Sequence, residues 1–156
     1  EQRPEWNFPE TPQKPFQINK VVVKNSADFL ATNLSVGEPF SVEVYYGVRK
    51  NQSRFWVTVQ CISEYGSTVF FSRDTDRNPN LLAERERGNF ISVFRFPADQ
   101  NFSLNQGHYS LIVRIEQDPS IEVTIPVFFD DPLKKFPHHP GIVLISEPWQ
   151  NRPLLS

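Results

Sequence analysis

The sequence is short of several things, and each shortage closes off a class of protein. It holds a single cysteine, Cys61, in 156 residues, so no disulfide can form within the chain and the cysteine framework of a small secreted domain is absent. Cys61 falls in register with Phe55, Val57 and Val59, which marks it as a buried structural thiol. No apolar run approaches the roughly 18 to 20 residues of a membrane-crossing helix, and the start carries no positive-then-apolar export signal. Methionine is missing altogether. A chain that also opens on Glu1 is expected to be a fragment or a processed product. Positive charge is not in excess either: 16 basic residues against 18 acidic ones leave a net charge of -2. The clustered field that phosphate backbones require is lacking, which argues against nucleic acid as a partner.

Catalytic signatures are equally scarce. No Gly-rich loop ends in Lys and Ser or Thr to cradle phosphates. Leu34-Ser35-Val36-Gly37-Glu38 has the letters of an ATPase signature loop, but that loop opens a helix, whereas Pro39 and an alternating strand follow here. A glycosidase needs two carboxylates at a fixed separation. Asp130-Asp131, Glu64 and Asp99 exist, yet nothing in the sequence brings any two together. No nucleophile elbow supports Ser/His/Asp chemistry. Asp74-Thr75-Asp76-Arg77-Asn78 opens like a calcium loop, but Pro79 stands where the turn wants glycine and Arg85 where the distal Glu belongs, so a solvated loop is favoured. His138 and His139 are neighbours in extended chain, point opposite ways and make a poor metal pair. The expectation is a non-enzyme with no cofactor and no metal.

What is abundant is aromatic area and period-two alternation. Fourteen Phe, 3 Trp and 4 Tyr supply large flat side chains suited to filling the space between two sheets. Phe40, Val42, Val44, Tyr46 and Val48 alternate with Ser41, Glu43, Tyr45 and Gly47 in the clearest strand. Phe55 to Cys61, Thr68 to Ser72, Asn89 to Phe96, Tyr109 to Glu116, Ile121 to Phe129 and Ile142 to Ile145 read likewise. The first run, Phe16 to Val23, breaks strict alternation at Ile18 and Val21, which predicts a bulge or an irregular start. Tyr65-Gly66-Ser67 reads as a hairpin turn. Tyr109, entering a strand just after Gly107, has the setting of a tyrosine corner. Only Asn80 to Arg87 looks helical. The expected fold is all-β, a sandwich of seven to eight antiparallel strands. Proline clusters mark off a Pro-rich N-terminal arm at 1–15 bearing Trp6 and Phe8, a sandwich at 16–130, and a Pro-rich C-terminal segment at 131–156 with a final short strand.

Some large side chains then fall on the polar side of the strands. Trp56 shares a face with Thr58 and Gln60, and Tyr45 lies on the outer face of its own strand beside Glu43. Aromatic rings on a hydrogen-bonding face suit a ligand that is apolar on its flat side and hydroxylated at its edges, as a sugar ring is. The candidate glycan-binding residues are Trp56 and Tyr45 as platforms, with Thr58, Gln60 and Arg114 as hydrogen-bonding partners. Two alternatives stay open. Trp56 can be covered by the Pro-rich arms or a second chain, or can fill the sandwich after a register shift. The domain can also be a non-catalytic protein-interaction or adhesion module, for which sequons at Asn33, Asn51 and Asn101 would suit a secreted version.

With the strands placed, the chain from about Phe16 to Trp149 resembles the C-terminal domain of the Wzt-type ATPase subunit of bacterial polysaccharide ABC exporters. The resemblance lies in ordered pieces. These are Val36-Gly37-Glu38-Pro39-Phe40, Gly66 to Thr75 with its Val69-Phe70-Phe71 run, Phe94-Arg95-Phe96-Pro97, Leu104 to Val113, and Pro140-Gly141-Ile142-Val143 leading to Trp149. The stretch from Glu116 to Asp131 departs from the pattern, with fewer acidic and aromatic residues. The likeness implies an immunoglobulin-like or jelly-roll sandwich that recognises an O-antigen-type polysaccharide for export. It implies membrane-embedded transporter subunits as partners through a parent protein, with no direct membrane insertion, and a cytoplasmic location at the inner face of the bacterial inner membrane. It also implies a homodimer in which the C-terminal strand can be exchanged between chains.

Overall fold

The computed structural model describes residues 5–9, 14–50, 56–78, 80, 85–96, 102–116, 121–132, 134, 141–145 and 150–153. They form eleven strands: β1 Glu5–Asn7, β2 Phe16–Lys24, β3 Asn33–Ser35, β4 Phe40–Val48, β5 Trp56–Ser63, β6 Thr68–Arg73, β7 Gly88–Phe96, β8 Phe102–Leu104, β9 Gly107–Glu116, β10 Ile121–Asp130 and β11 Val143–Ile145. One sheet runs β1-β2-β4-β7, the other β3-β10-β9-β5-β6, and β8 pairs with β11. All pairings are antiparallel except β3 against β10. The fold is a β-sandwich, built on the seven longer strands that the alternation predicts. The short strands β1, β3 and β8 carry too few residues for period two to declare itself.

The alternation sorts side chains as expected. Val42 and Val44 of one sheet and Val59, Cys61, Leu111, Val113, Ile115 and Ile125 of the other lie 0 to 3 % exposed between the layers. Phe40 bridges the sheets, with its ring centroid 5.5 Å from those of Phe96 and Phe129. Burial without any charge partner pushes the Cys61 thiol up to about 12, as desolvation of a thiolate requires.

Local signals behave the same way. The β2–β4 register shifts between Ile18 and Lys20, so Asn19 is the bulge that the broken alternation announces. Gly66 holds φ at +85° in the β5–β6 turn, a conformation glycine reaches without strain. The Tyr109 hydroxyl donates to the Asn105 carbonyl at 2.8 Å, which is the tyrosine corner; burial pushes its phenol up to about 12. The final strand β11 lies on β8 of the same chain through Val143–Leu104, Leu144–Ser103 and Ile145–Phe102 pairs. In the N-terminal arm β1 adds to β2, and Trp6 and Phe8 pack against the core.

Half of the segment expected to be helical, at 81–84, lies outside the described residues, and so do Phe55, His138 and His139. There is no α-helix among the described residues, and no helix long and apolar enough to cross a membrane.

Candidate functional site

Trp56 opens β5, and its side chain projects from the outer face of the five-stranded sheet while Val57 and Val59 turn into the core. Cross-strand register sets its neighbours. Trp56 lies opposite Glu116, Thr58 opposite both Arg114 and Arg73, and Gln60 opposite both Ile112 and Phe71. The Trp56 indole N–H donates to the Glu116 carboxylate. Arg114 donates through Nε to Glu122 at 2.6 Å and through a terminal nitrogen to Gln60 at 2.7 Å, and Gln60 donates onward to Thr68 at 2.9 Å. Arg73 lies 5.6 Å over the Trp56 ring and 5.0 Å over that of Phe71. The result is a flat face of two rings and two guanidinium groups, its polar atoms held in fixed directions.

Two of the five expected site residues need correction. Thr58 is 0 % exposed, because Arg73 and Arg114 flank it on either side, so it cannot touch a ligand directly. Its hydroxyl makes no hydrogen bond among the described residues. Tyr45 faces outward as the alternation requires, but on the other sheet. Its hydroxyl donates to Glu43 at 3.2 Å and the Lys20 ammonium sits 4.4 Å over its ring. Burial, then the hydrogen bond to Glu43, raises its phenol above the usual value. Trp56, Gln60 and Arg114 come together; Tyr45 lies across the thickness of the sandwich from them.

Arg73 and Phe71 escaped sequence reasoning because local alternation does not say which strand pairs with which; only the β5–β6 hairpin hinted at them. On the outer face of the four-stranded sheet, a cleft of about 710 Å³ is lined by Phe8, Gln17, Asn19, Gly47, Arg49 and Asn89, among others. Its residues come from β2, β4, β7 and the first arm, and no motif marks them in the sequence.

The Asp74 loop serves the sandwich edge. Asp74 accepts from both terminal nitrogens of Arg85, from the Ser92 hydroxyl at 3.1 Å and from the Val57 amide at 3.1 Å. Asp76 caps the Arg73 amide at 2.9 Å. The carboxylates that gave this segment its calcium-like spacing are thus engaged in closing the gap between β6 and β7. No group of three or more metal-ligating side chains occurs among the described residues.

No protein-family model matches the sequence, and no curated protein matches it significantly. A solved structure described as the C-terminal domain of Wzt superposes with a TM-score of 0.61 at 12 % identity, covering 97 % of this chain and 89 % of that one. A β-glucosidase from Listeria innocua in complex with gluconolactone matches at a TM-score of 0.40 and 14 % identity, over 72 % of this chain and 16 % of that one. The fold of this chain is therefore that of the Wzt C-terminal domain over nearly its whole length.

Proposed function

We propose that this domain binds carbohydrate through the outer face of its five-stranded sheet and performs no chemistry on it. The observation that carries the reading is the convergence of Trp56, Arg73, Gln60 and Arg114 on one face. An indole beside amide and guanidinium groups matches the two-sided chemistry of a sugar ring, apolar on its flat face and hydroxylated at its rim. Arg73 covers the indole now, but a cation over an exposed ring is worth only about 0.5–1 kcal/mol, so a sugar can displace it. A shallow face of this kind binds weakly, between millimolar and micromolar, or roughly -4 to -8 kcal/mol.

The likeness of fold to the Wzt C-terminal domain supports a finer assignment. In this reading the ligand is a bacterial surface polysaccharide of the O-antigen type. The parent protein is a subunit of a polysaccharide ABC exporter, working at the cytoplasmic face of the inner membrane. Two copies associate as a homodimer, and the three-residue β8–β11 pairing is short enough to be remade between chains. Sedimentation of the domain checks the dimer. The binding test is titration of wild type and Trp56→Ala with polysaccharides retained on an array. A drop in affinity of at least about tenfold with an unchanged unfolding midpoint supports the reading; equal affinity removes Trp56 from the site.

A further inference from the structure

We propose that the cleft on the outer face of the four-stranded sheet, floored by Gly47 between Asn19 and Asn89, is a second saccharide-binding site. It takes two adjacent hydroxyls of a pyranose ring. The proposal rests on the carbohydrate reading above but uses residues on the opposite side of the sandwich from Trp56.

Gly47 sits within β4, paired with Gln17 of β2 on one side and Asn89 of β7 on the other. A glycine inside a strand loses packing and backbone order relative to any other residue, and it marks a place where something approaches the backbone closely. Here the approach is visible. A Cβ on Gly47 would stand 3.2 Å from Asn89 Oδ1 and 3.5 Å from Asn19 Nδ2. The missing side chain lets the two amide groups close in from either side over the buried Gly47 backbone.

The two amides are set for complementary roles. Arg49 donates to the Gln17 side-chain oxygen Oε1, and Gln17 Nε2 in turn donates to Asn19 Oδ1. Gln17 is only 6 % exposed, so this relay is anchored from below. It ties down the Asn19 oxygen and leaves the Asn19 NH₂ as a donor at the cleft. Asn89 offers its oxygen from the facing side. Neither the Asn19 NH₂ nor the Asn89 side chain makes a hydrogen bond among the described residues. A sugar hydroxyl both donates and accepts. One hydroxyl can therefore accept from Asn19 while its neighbour donates to Asn89, the two amides standing side by side over Gly47.

Size and lining agree. The volume of about 710 Å³ falls within the range of roughly 300–1,000 Å³ typical of ligand pockets. Among the described residues the lining is largely amide and guanidinium, with Phe8 at one side and no carboxylate. That chemistry suits hydroxyl-rich rings better than a peptide, which would need apolar pockets at alternate positions.

The test follows the side-chain NH₂ signals of Asn19 and Asn89 in ¹⁵N-edited spectra while methyl α-D-mannopyranoside and methyl β-D-glucopyranoside are added into the tens of millimolar. The proposal expects saturable shifts at both asparagines in wild type, and at both again in Trp56→Ala. Asn89→Ala, which removes an exposed side chain from an edge strand, should weaken the Asn19 response about tenfold or more. Gly47→Ala should do the same by filling the floor, its backbone spectrum reporting that the fold persists. Shifts at the Trp56 indole with none at Asn19 and Asn89 overturn the cleft and leave the carbohydrate reading standing. No shift at either place overturns both.

Discussion

Asp74 and Arg85 form a buried ion pair at 2.9 Å, with side chains only 14 % and 5 % exposed. The pair joins the loop after β6 to the segment before β7, and the Arg85 guanidinium reaches the Tyr46 hydroxyl at 3.0 Å as well. Burial alone would make the guanidinium easier to deprotonate, but the hydrogen bonds and charge attraction of Asp74, together with the Tyr46 hydroxyl, outweigh it in sum and raise its pKa. Removing Arg85 strands a carboxylate among buried groups, so Arg85→Ala should cost about 3–5 kcal/mol in urea unfolding. The double variant Asp74→Asn with Arg85→Met should lose clearly less, because no uncompensated charge then remains. A single-variant loss under about 1 kcal/mol would show that the pair closes nothing.

Tyr109 anchors the turn before β9. Tyr109→Phe keeps the ring stacked edge-on against Phe129 at 5.5 Å and removes only the hydrogen bond to Asn105. The expected loss is about 0.5–1.5 kcal/mol. Urea unfolding of the two proteins checks it, and an unchanged midpoint would make the corner ornamental.

High pH should weaken the fold in two steps. The Cys61 thiol is pushed up to about 12 from its ordinary value of 9.0, and the Tyr109 phenol up to about 12 from 10.0. In both, the folded pKa lies above the unfolded one, so the stabilisation is complete below the unfolded value and is lost as pH rises towards the folded value. Stability should fall first between about pH 9 and 10 through Cys61, then more steeply up to about 12, by at most about 1.4 kcal/mol per unit for each group. In Cys61→Ala the first step should vanish while the second remains. Melting temperatures across that range give the slopes directly, and identical slopes in the two proteins would remove Cys61 from the effect.

What the sequence discloses is what the strand itself dictates. The alternation in β4, the irregularity between Ile18 and Val21, the Gly66 turn and the tyrosine corner each depend on a few adjacent residues, and all are legible in the sequence. Pairing between distant strands is not. Trp56 and Tyr45 both read as outward aromatics, but one lies on each sheet, since period two gives the side of a strand and not its partners. Thr58 reads as exposed until Arg73 and Arg114 are seen opposite it. Asp74 reads as part of a solvated loop, because its distance in sequence from Arg85 hides the ion pair that buries it. The Gly47 cleft assembles asparagines from β2 and β7 around a glycine of β4, which no spacing announces.

Carbohydrate recognition is tested most directly by presenting the purified domain to an array of bacterial surface polysaccharides. Retention of at least one of them, weakened about tenfold or more by Trp56→Ala at unchanged melting temperature, is the predicted result. A wild-type domain that holds none of them, or a variant that holds them equally well, would contradict the assignment of the Trp56 face.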